Sequence, residues 1–346
     1  MKQSETMKKK PTLDPNAVVR SLHGAIITTQ DYAAACTRLN NRLRRLPMEP
    51  LHPDHQHNGV FFYSNGNYLR KGSDQLYSLA RRRYCESLLD VITLISEQPA
   101  ISVQRDPLHS GKRDPLHSGP CAPAFAKLEK LIHDFADGRL ELERILLTKR
   151  QYTWYNRDYP RKPFSGNQIG RDLFNPQGDR VMSKSEQNIG IALWDLAGPC
   201  HYEETLHINV QRLVDRLRAE LQERGQLTKQ LFYYQGGSCL WNVPEHLQWM
   251  NAFGSIWRTY DSRSGCIRIH PDYTIMLADG SLLYWEHEGL LENFVYRANS
   301  TERICVMQIV GGIPRENILE TTEVEANDRQ TLDRIIQDRI LPGLWF

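Results

Sequence analysis

The chain has 346 residues, a formal net charge of +2, 40% hydrophobic and 24% charged residues, which fits a soluble globular protein of two domains or one domain with a large insertion. No apolar run approaches the roughly 18 residues that span a bilayer, and the basic segment 1–10 lacks the apolar stretch of a signal peptide, so a cytoplasmic protein without membrane contact is expected. Seven scattered cysteines with no C-x-x-C pair suggest neither a zinc ribbon nor a disulfide framework.

In chain order, residues 31–46 read as a helix ending in Arg42, Arg44 and Arg45. The His- and Pro-rich run 51–57 could catch a transition metal through His55 and His57, but a flexible loop is the better reading. Residues 60–71 form a hairpin turned at Asn65-Gly66, with Arg70 and Lys71 at its end. A helix over 74–96 follows and bears Arg81, Arg82 and Arg83. These bases beside Phe61, Tyr63 and Tyr68 suit contact with phosphate and exposed bases, although the aromatics equally suit packing the hairpin onto the helix.

The heptapeptide Arg-Asp-Pro-Leu-His-Ser-Gly occurs at Arg105 and again at Arg113. Its Pro, Gly and polar residues read as a mobile linker. A helical pattern resumes over 122–147, and a basic, aromatic segment with Arg161 and Lys162 leads onward. Up to Arg150 bases outnumber acids, and beyond it acids prevail, so the first half is the expected binder of a polyanion and the second of a cation.

The carboxyl-terminal half carries the chemistry. Ser183 three residues before Glu186 is a capping-box pattern, and Ile189, Leu193 and Leu196 recur at helical spacing, which predicts a helix over 183–197. A strand is expected at 201–206. Asp279-Gly280 then divides two apolar runs, predicting a hairpin with strands at 273–277 and 282–288. Strand parity puts Glu286 and Glu288 on one face and Trp285 and His287 on the other. Asp272, just before the first of these strands, can lie across from Glu286 and share a hard divalent cation with it, Mg2+ or Mn2+. A helix over 289–303, a buried strand at 304–310 and a final helix over 330–340 complete the pattern.

The order helix, three-stranded β-meander, helix, strand resembles the PD-(D/E)XK nuclease superfamily, the restriction-endonuclease-like fold. More narrowly, "MSKSEQNIGIALWDLAGPCHYEETL", "HPDYTI" and "LLYWEHEGL" resemble a bacterial and phage group with SKSE, YE, PDFTI and WEH-x-G signatures. The resemblance is specific over about 182–206 and 270–310. It implies an α/β (α+β) restriction-endonuclease-like core preceded by a basic, mostly helical domain with a β-hairpin. It also implies metal-dependent endonuclease hydrolysis of DNA, with Glu186, Asp272 and Glu286 holding the metal. The expected division is a basic domain at 1–104, a repeat linker at 105–121, a helical connector at 122–150 and the nuclease-like domain at 151–346.

The chain departs from the superfamily pattern where a lysine should stand. Glu288 occupies the position two residues after Glu286, and no lysine follows Gln230, which leaves Lys184 as the expected replacement. An insertion at about 207–269, with a helix over 210–224 and an aromatic run over 231–260, is a candidate surface for a protein partner. Two other readings stay open. One is a catalytically degenerate nuclease fold that grips DNA or protein. The other is an interaction module whose acids are surface decoration.

Overall fold

The computed structural model describes residues 12–56, 59–97, 114–160, 173–211, 215, 219, 261, 263–290 and 292–346. The chain opens with α1 (Pro15–Thr28) and α2 (Tyr32–Leu43). Each begins on an aspartate that accepts a first-turn N–H, Asp14 from Asn16 and Asp31 from Ala34, as short acidic side chains do at helix starts.

The strands β1 (His52–Gln56), β2 (Gly59–Ser64) and β3 (Asn67–Tyr68) form an antiparallel sheet. Asn65 and Gly66 take positive φ, 50° and 79°, in the turn that the sequence predicts. The run expected to be a flexible loop is instead an edge strand, with His52 opposite Tyr63 and His55 opposite Val60. Pro53 is tolerated there because β1 needs ladder hydrogen bonds on one side only. His57 lies outside the described residues.

The helix α3 (Asp74–Ser96) has the predicted bounds and buries Leu76, Leu79, Leu88, Val91, Ile92 and Ile95. After it come α4 (Pro115–Ser118), α5 (Ala122–Asp137), α6 (Leu142–Leu146) and α7 (Lys149–Asn156). The helical pattern over 122–147 is thus broken in two, and Arg139 lies at φ 58° in the break. The first copy of the repeat lies outside the described residues. In the second, from Asp114, Leu116 is fully buried and its N–H donates to Asp114. The apolar residue inside the polar heptapeptide anchors that copy to the core.

In the second half, a short ribbon of β4 (Leu173–Phe174) and β5 (Arg180–Val181) precedes α8 (Lys184–Asp195). The central sheet contains β6 (Cys200–Tyr202), β9 (Tyr273–Met276), β10 (Leu282–Glu288) and β11 (Ile318–Thr322) in the order β11-β10-β9-β6. Its first three strands in chain order run antiparallel, and β11 lies parallel to β10. A parallel return needs a crossover, supplied by α9 (Phe294–Cys305) and a π-helical turn at Val306–Val310.

The strand expected at 304–310 is therefore helical. A short apolar run looks alike in either state, and here Ile304, Val306 and Met307 pack as part of the crossover while Ile318–Thr322 takes the parallel position. The chain continues through α10 (Glu323–Asn327), α11 (Arg329–Arg339) and α12 (Leu341–Leu344).

Alternation along β10 sends Leu283 and Trp285 into the main core, and Tyr284 into a second cluster with Ile208, Ile267, Ile304 and Met307. That cluster sits beneath a ribbon of β7 (Leu206–Asn209) and β8 (Cys266–Ile269), through which the 207–269 insertion leaves and returns. Of the helix expected over 210–224, Gln211, Asp215 and Ala219 are described as helical, and the run 231–260 lies outside the described residues.

The main core continues without a break from Leu13 to Phe346. Trp345 donates from Nε1 to Ser21 Oγ at 2.8 Å, and Gln151 Nε2 donates to the carbonyls of Met276 and Leu344 at 3.0 Å each. Burial of Phe346 alone contributes about 2–3 kcal/mol. Among the described residues no helix is long and apolar enough to cross a membrane.

Candidate active site

Glu186 sits in the first turn of α8, where Ser183 Oγ accepts its N–H at 3.1 Å and donates back to its Oε1 at 3.1 Å. Its Oε2 accepts from Met182 N at 2.9 Å and from Tyr202 OH at 2.5 Å. The backbone carbonyl of Glu186 accepts from Tyr273 OH at 2.8 Å. Tyrosines of β6 and β9 therefore fix the start of α8 against the sheet.

Asp272 immediately precedes β9. Trp285 pairs with Tyr273, so one further step sets Asp272 across from Glu286 on the same face. Asp272 Oδ2 accepts the backbone N–H of His287 at 2.6 Å, and its carbonyl accepts from Glu203 N at 3.1 Å. Glu203 is held at φ 47°, an unusual backbone state for a residue with a side chain and one that costs roughly 1 kcal/mol or more. Glu286 is fully buried and ion-paired with Arg303 of α9 at 2.6 Å. Glu288 accepts from Ser300 Oγ at 2.8 Å.

These carboxylates feel one another. Burial pushes the Asp272 carboxyl well above its ordinary range, and the charges of Glu286 and Glu186 push it further, against opposing pulls from Arg303 and the His287 N–H. Burial and then Glu186 likewise push the Tyr202 hydroxyl up, so it stays a donor. Glu186, Asp272 and Glu286 with Arg303 form a cluster rich in negative charge and oxygen donors, chemistry that fits a hard divalent cation. Among the described residues, the one group of three donors all within 4.8 Å lies elsewhere, at His23, Asp114 and His117, so the acids would have to draw closer around an ion. Tyr202→Phe removes a hydrogen bond to a charged acceptor, and is expected to cost about 1.5–3 kcal/mol, measurable by urea denaturation.

The structure does not bring Lys184 to the cluster. It is exposed and its Nζ donates to Gln187 at 2.8 Å, one turn along the outer side of α8. Residues two apart on a helix point in different directions, so Lys184 turns outward while Glu186 turns in. Lys184→Ala is expected to keep divalent-metal affinity within about twofold of the parent protein in a calorimetric titration, since exposed contacts of this kind contribute little.

The positive charge beside the acids belongs to Arg303, which the motif reading missed. Its signal was nevertheless present. Ser300 and Arg303, three apart on α9, meet Glu288 and Glu286, two apart on β10, a match of helical and strand periods. Tyr202 was visible only as part of the Tyr-Glu motif. His287 lies on the opposite face as its parity requires, with Nε2 3.1 Å from Glu323 Oε2.

The bases expected to hold nucleic acid divide into two groups. Arg42 donates to the Leu146 carbonyl at 3.1 Å, Arg81 to that of Arg144, and Arg82 to those of Leu43 and Leu46 while pairing with Glu86 at 2.8 Å. Those guanidinium groups satisfy carbonyls near helix ends, a structural task. Arg44, Arg45, Arg70 and Lys71 are exposed, Arg83 is half-buried, and Lys71 Nζ lies 5.2 Å from the Phe61 ring centre. Arg161 and Lys162 lie outside the described residues. Compared with protein-family models, with curated proteins and with solved structures, the chain finds no match in any of the three.

Proposed function

We propose that the protein is a metal-dependent endonuclease of the PD-(D/E)XK type that hydrolyses DNA phosphodiester bonds. The observation that carries this reading is the β9–β10 register that sets Asp272 across from Glu286, with Glu186 at the start of α8 tied to the same sheet through Tyr202 of β6 and Tyr273 of β9. The succession α8, β6, β9, β10, α9, β11, with a parallel last strand, supports it as the helix, meander, helix, strand order of that core. Glu186, Asp272 and Glu286 would hold Mg2+ or Mn2+, with Glu288 beside them. Bound there, the ion would lower the pKa of water and offset charge on the phosphate. Arg303 takes the role first assigned to Lys184, a fixed positive charge next to the reacting phosphate. The exposed Arg44, Arg45, Arg70 and Lys71 supply backbone contacts, and the 207–269 insertion a partner surface.

A second reading rests on the same Arg303. Its guanidinium already neutralises Glu286, which favours a degenerate nuclease fold that binds DNA without cutting. Incubation of supercoiled, linear and single-stranded DNA with Mg2+ or Mn2+ distinguishes the two. Cutting that falls more than about 100-fold in Asp272→Ala is the expected result, given that even outer-shell partners of metal ligands are worth 10- to 100-fold. DNA binding without cutting would establish the degenerate fold.

A further inference from the structure

We propose a second metal site, for zinc or a similar transition-metal ion, at His23, Asp114 and His117. His23 projects from α1, while Asp114 immediately precedes α4 and His117 lies within it. Each offers one ligand atom, and these atoms lie within 4.8 Å of one another. Asp114 Oδ2 is 2.6 Å from both His23 Nε2 and His117 Nδ1, and the imidazole rings stack with centres 5.4 Å apart.

Two imidazole nitrogens and one carboxylate make a donor set of zinc type rather than magnesium type. Zinc bonds of about 2.0–2.1 Å in a tetrahedron separate neighbouring ligand atoms by roughly 3.3 Å, so the two short contacts need open by less than about 1 Å to admit an ion. Ligation needs a bare nitrogen on each ring, so the protons between these nitrogens and Asp114 leave or move to the other ring nitrogen when the ion binds.

The surroundings are those of a built site. The other carboxylate oxygen of Asp114 is fixed, since Oδ1 accepts the Leu116 N–H at 2.9 Å. Phe125 of α5 meets both rings edge-on, at 5.8 and 5.4 Å. Glu129 Oε1 lies 3.5 Å from His117 Nε2, the nitrogen left over when Nδ1 ligates, in the place of an outer carboxylate partner. Side-chain exposures of 21% for His23, 32% for Asp114 and 54% for His117 leave the ion a way in and a fourth position for water. Such an ion would staple the second repeat copy to α1 and α5. That gives the Asp-x-x-His spacing of the heptapeptide a physical use, and the same spacing stands at Asp106 and His109 in the first copy.

The test is titration of chelator-stripped full-length protein with Co2+, followed by competition with Zn2+ and with excess Mg2+. One four-coordinate Co2+ per chain is expected, read by its strong visible absorption, displaced by Zn2+ and not by Mg2+. His23→Gln and His117→Gln should each weaken binding at this site at least about 10-fold, while Asp272→Asn and His55→Gln should leave the four-coordinate signal unchanged. Because glutamine keeps a hydrogen-bonding side chain of similar reach, folding is checked by thermal melts, and the parent protein should melt higher with Zn2+ than without. Absence of the four-coordinate signal in the parent protein, or its survival in the His23→Gln, His117→Gln double variant, would overturn the site. Neither result bears on cleavage at the acidic cluster.

Discussion

In metal-free buffer at neutral pH, Asp272→Asn is expected to be more stable than the parent protein, and excess Mn2+ to reverse that order. The cause is the raised proton affinity of Asp272 in the folded state, set by burial and by the charges of Glu286 and Glu186. A folded-state carboxyl above its unfolded value of about 3.9 binds more protons than the unfolded chain does across the window between the two. Stability of the parent therefore falls as pH rises from about 4 through the raised value, and the loss persists above it.

Asparagine carries no such penalty and still accepts the His287 N–H. Melting curves in chelator at pH 4 should bring the two proteins together, and curves at pH 7 to 8 should separate them in favour of the variant. At a Mn2+ concentration 100 times its dissociation constant, the parent gains about 2.7 kcal/mol. The variant, short of one ligand, should gain far less.

Arg303→Ala is expected to destabilise the metal-free protein by about 3 kcal/mol. Removal of one partner from a buried pair leaves the other charge uncompensated, and Glu286 is fully enclosed while Arg303 keeps 29% side-chain exposure, which places the cost at the low end of the range. Urea denaturation with and without Mn2+ separates two roles for this arginine. If it serves as counter-charge until a cation arrives, Mn2+ restores most of the lost stability. Arg303→Lys should keep much of the stability and lose activity, because an ammonium cannot reproduce the planar guanidinium contact. A variant equal to the parent in metal-free urea would remove Arg303 from the site.

The sequence was most legible where local chemistry decides structure. Ser183 and Glu186 marked the start of α8, Asp279-Gly280 and Asn65-Gly66 marked hairpins, and period-two parity ordered Trp285, Glu286 and His287 correctly. What tertiary packing decides was not legible. Ile304, Val306 and Met307 read as a strand, yet their burial beside Ile208 and Ile267 belongs to a helical crossover. Lys184 is the basic residue nearest Glu186 in sequence, whereas the cation beside Glu286 is Arg303, seventeen residues farther along the chain than Glu286, a contact that only packing of α9 on β10 creates. The second repeat copy read as linker because its anchor, Leu116, and its link to His23 depend on α1, some ninety residues away.

The most direct test of the acidic cluster is a calorimetric titration with Mn2+ at pH 7.5, on protein carrying His23→Gln so that the nitrogen-containing site is silent. One bound Mn2+ per chain, lost on adding Asp272→Asn or Glu286→Gln and kept on adding Lys184→Ala, is the expected result. No binding, or binding that survives both acid substitutions, would contradict a metal centre at Glu186, Asp272 and Glu286.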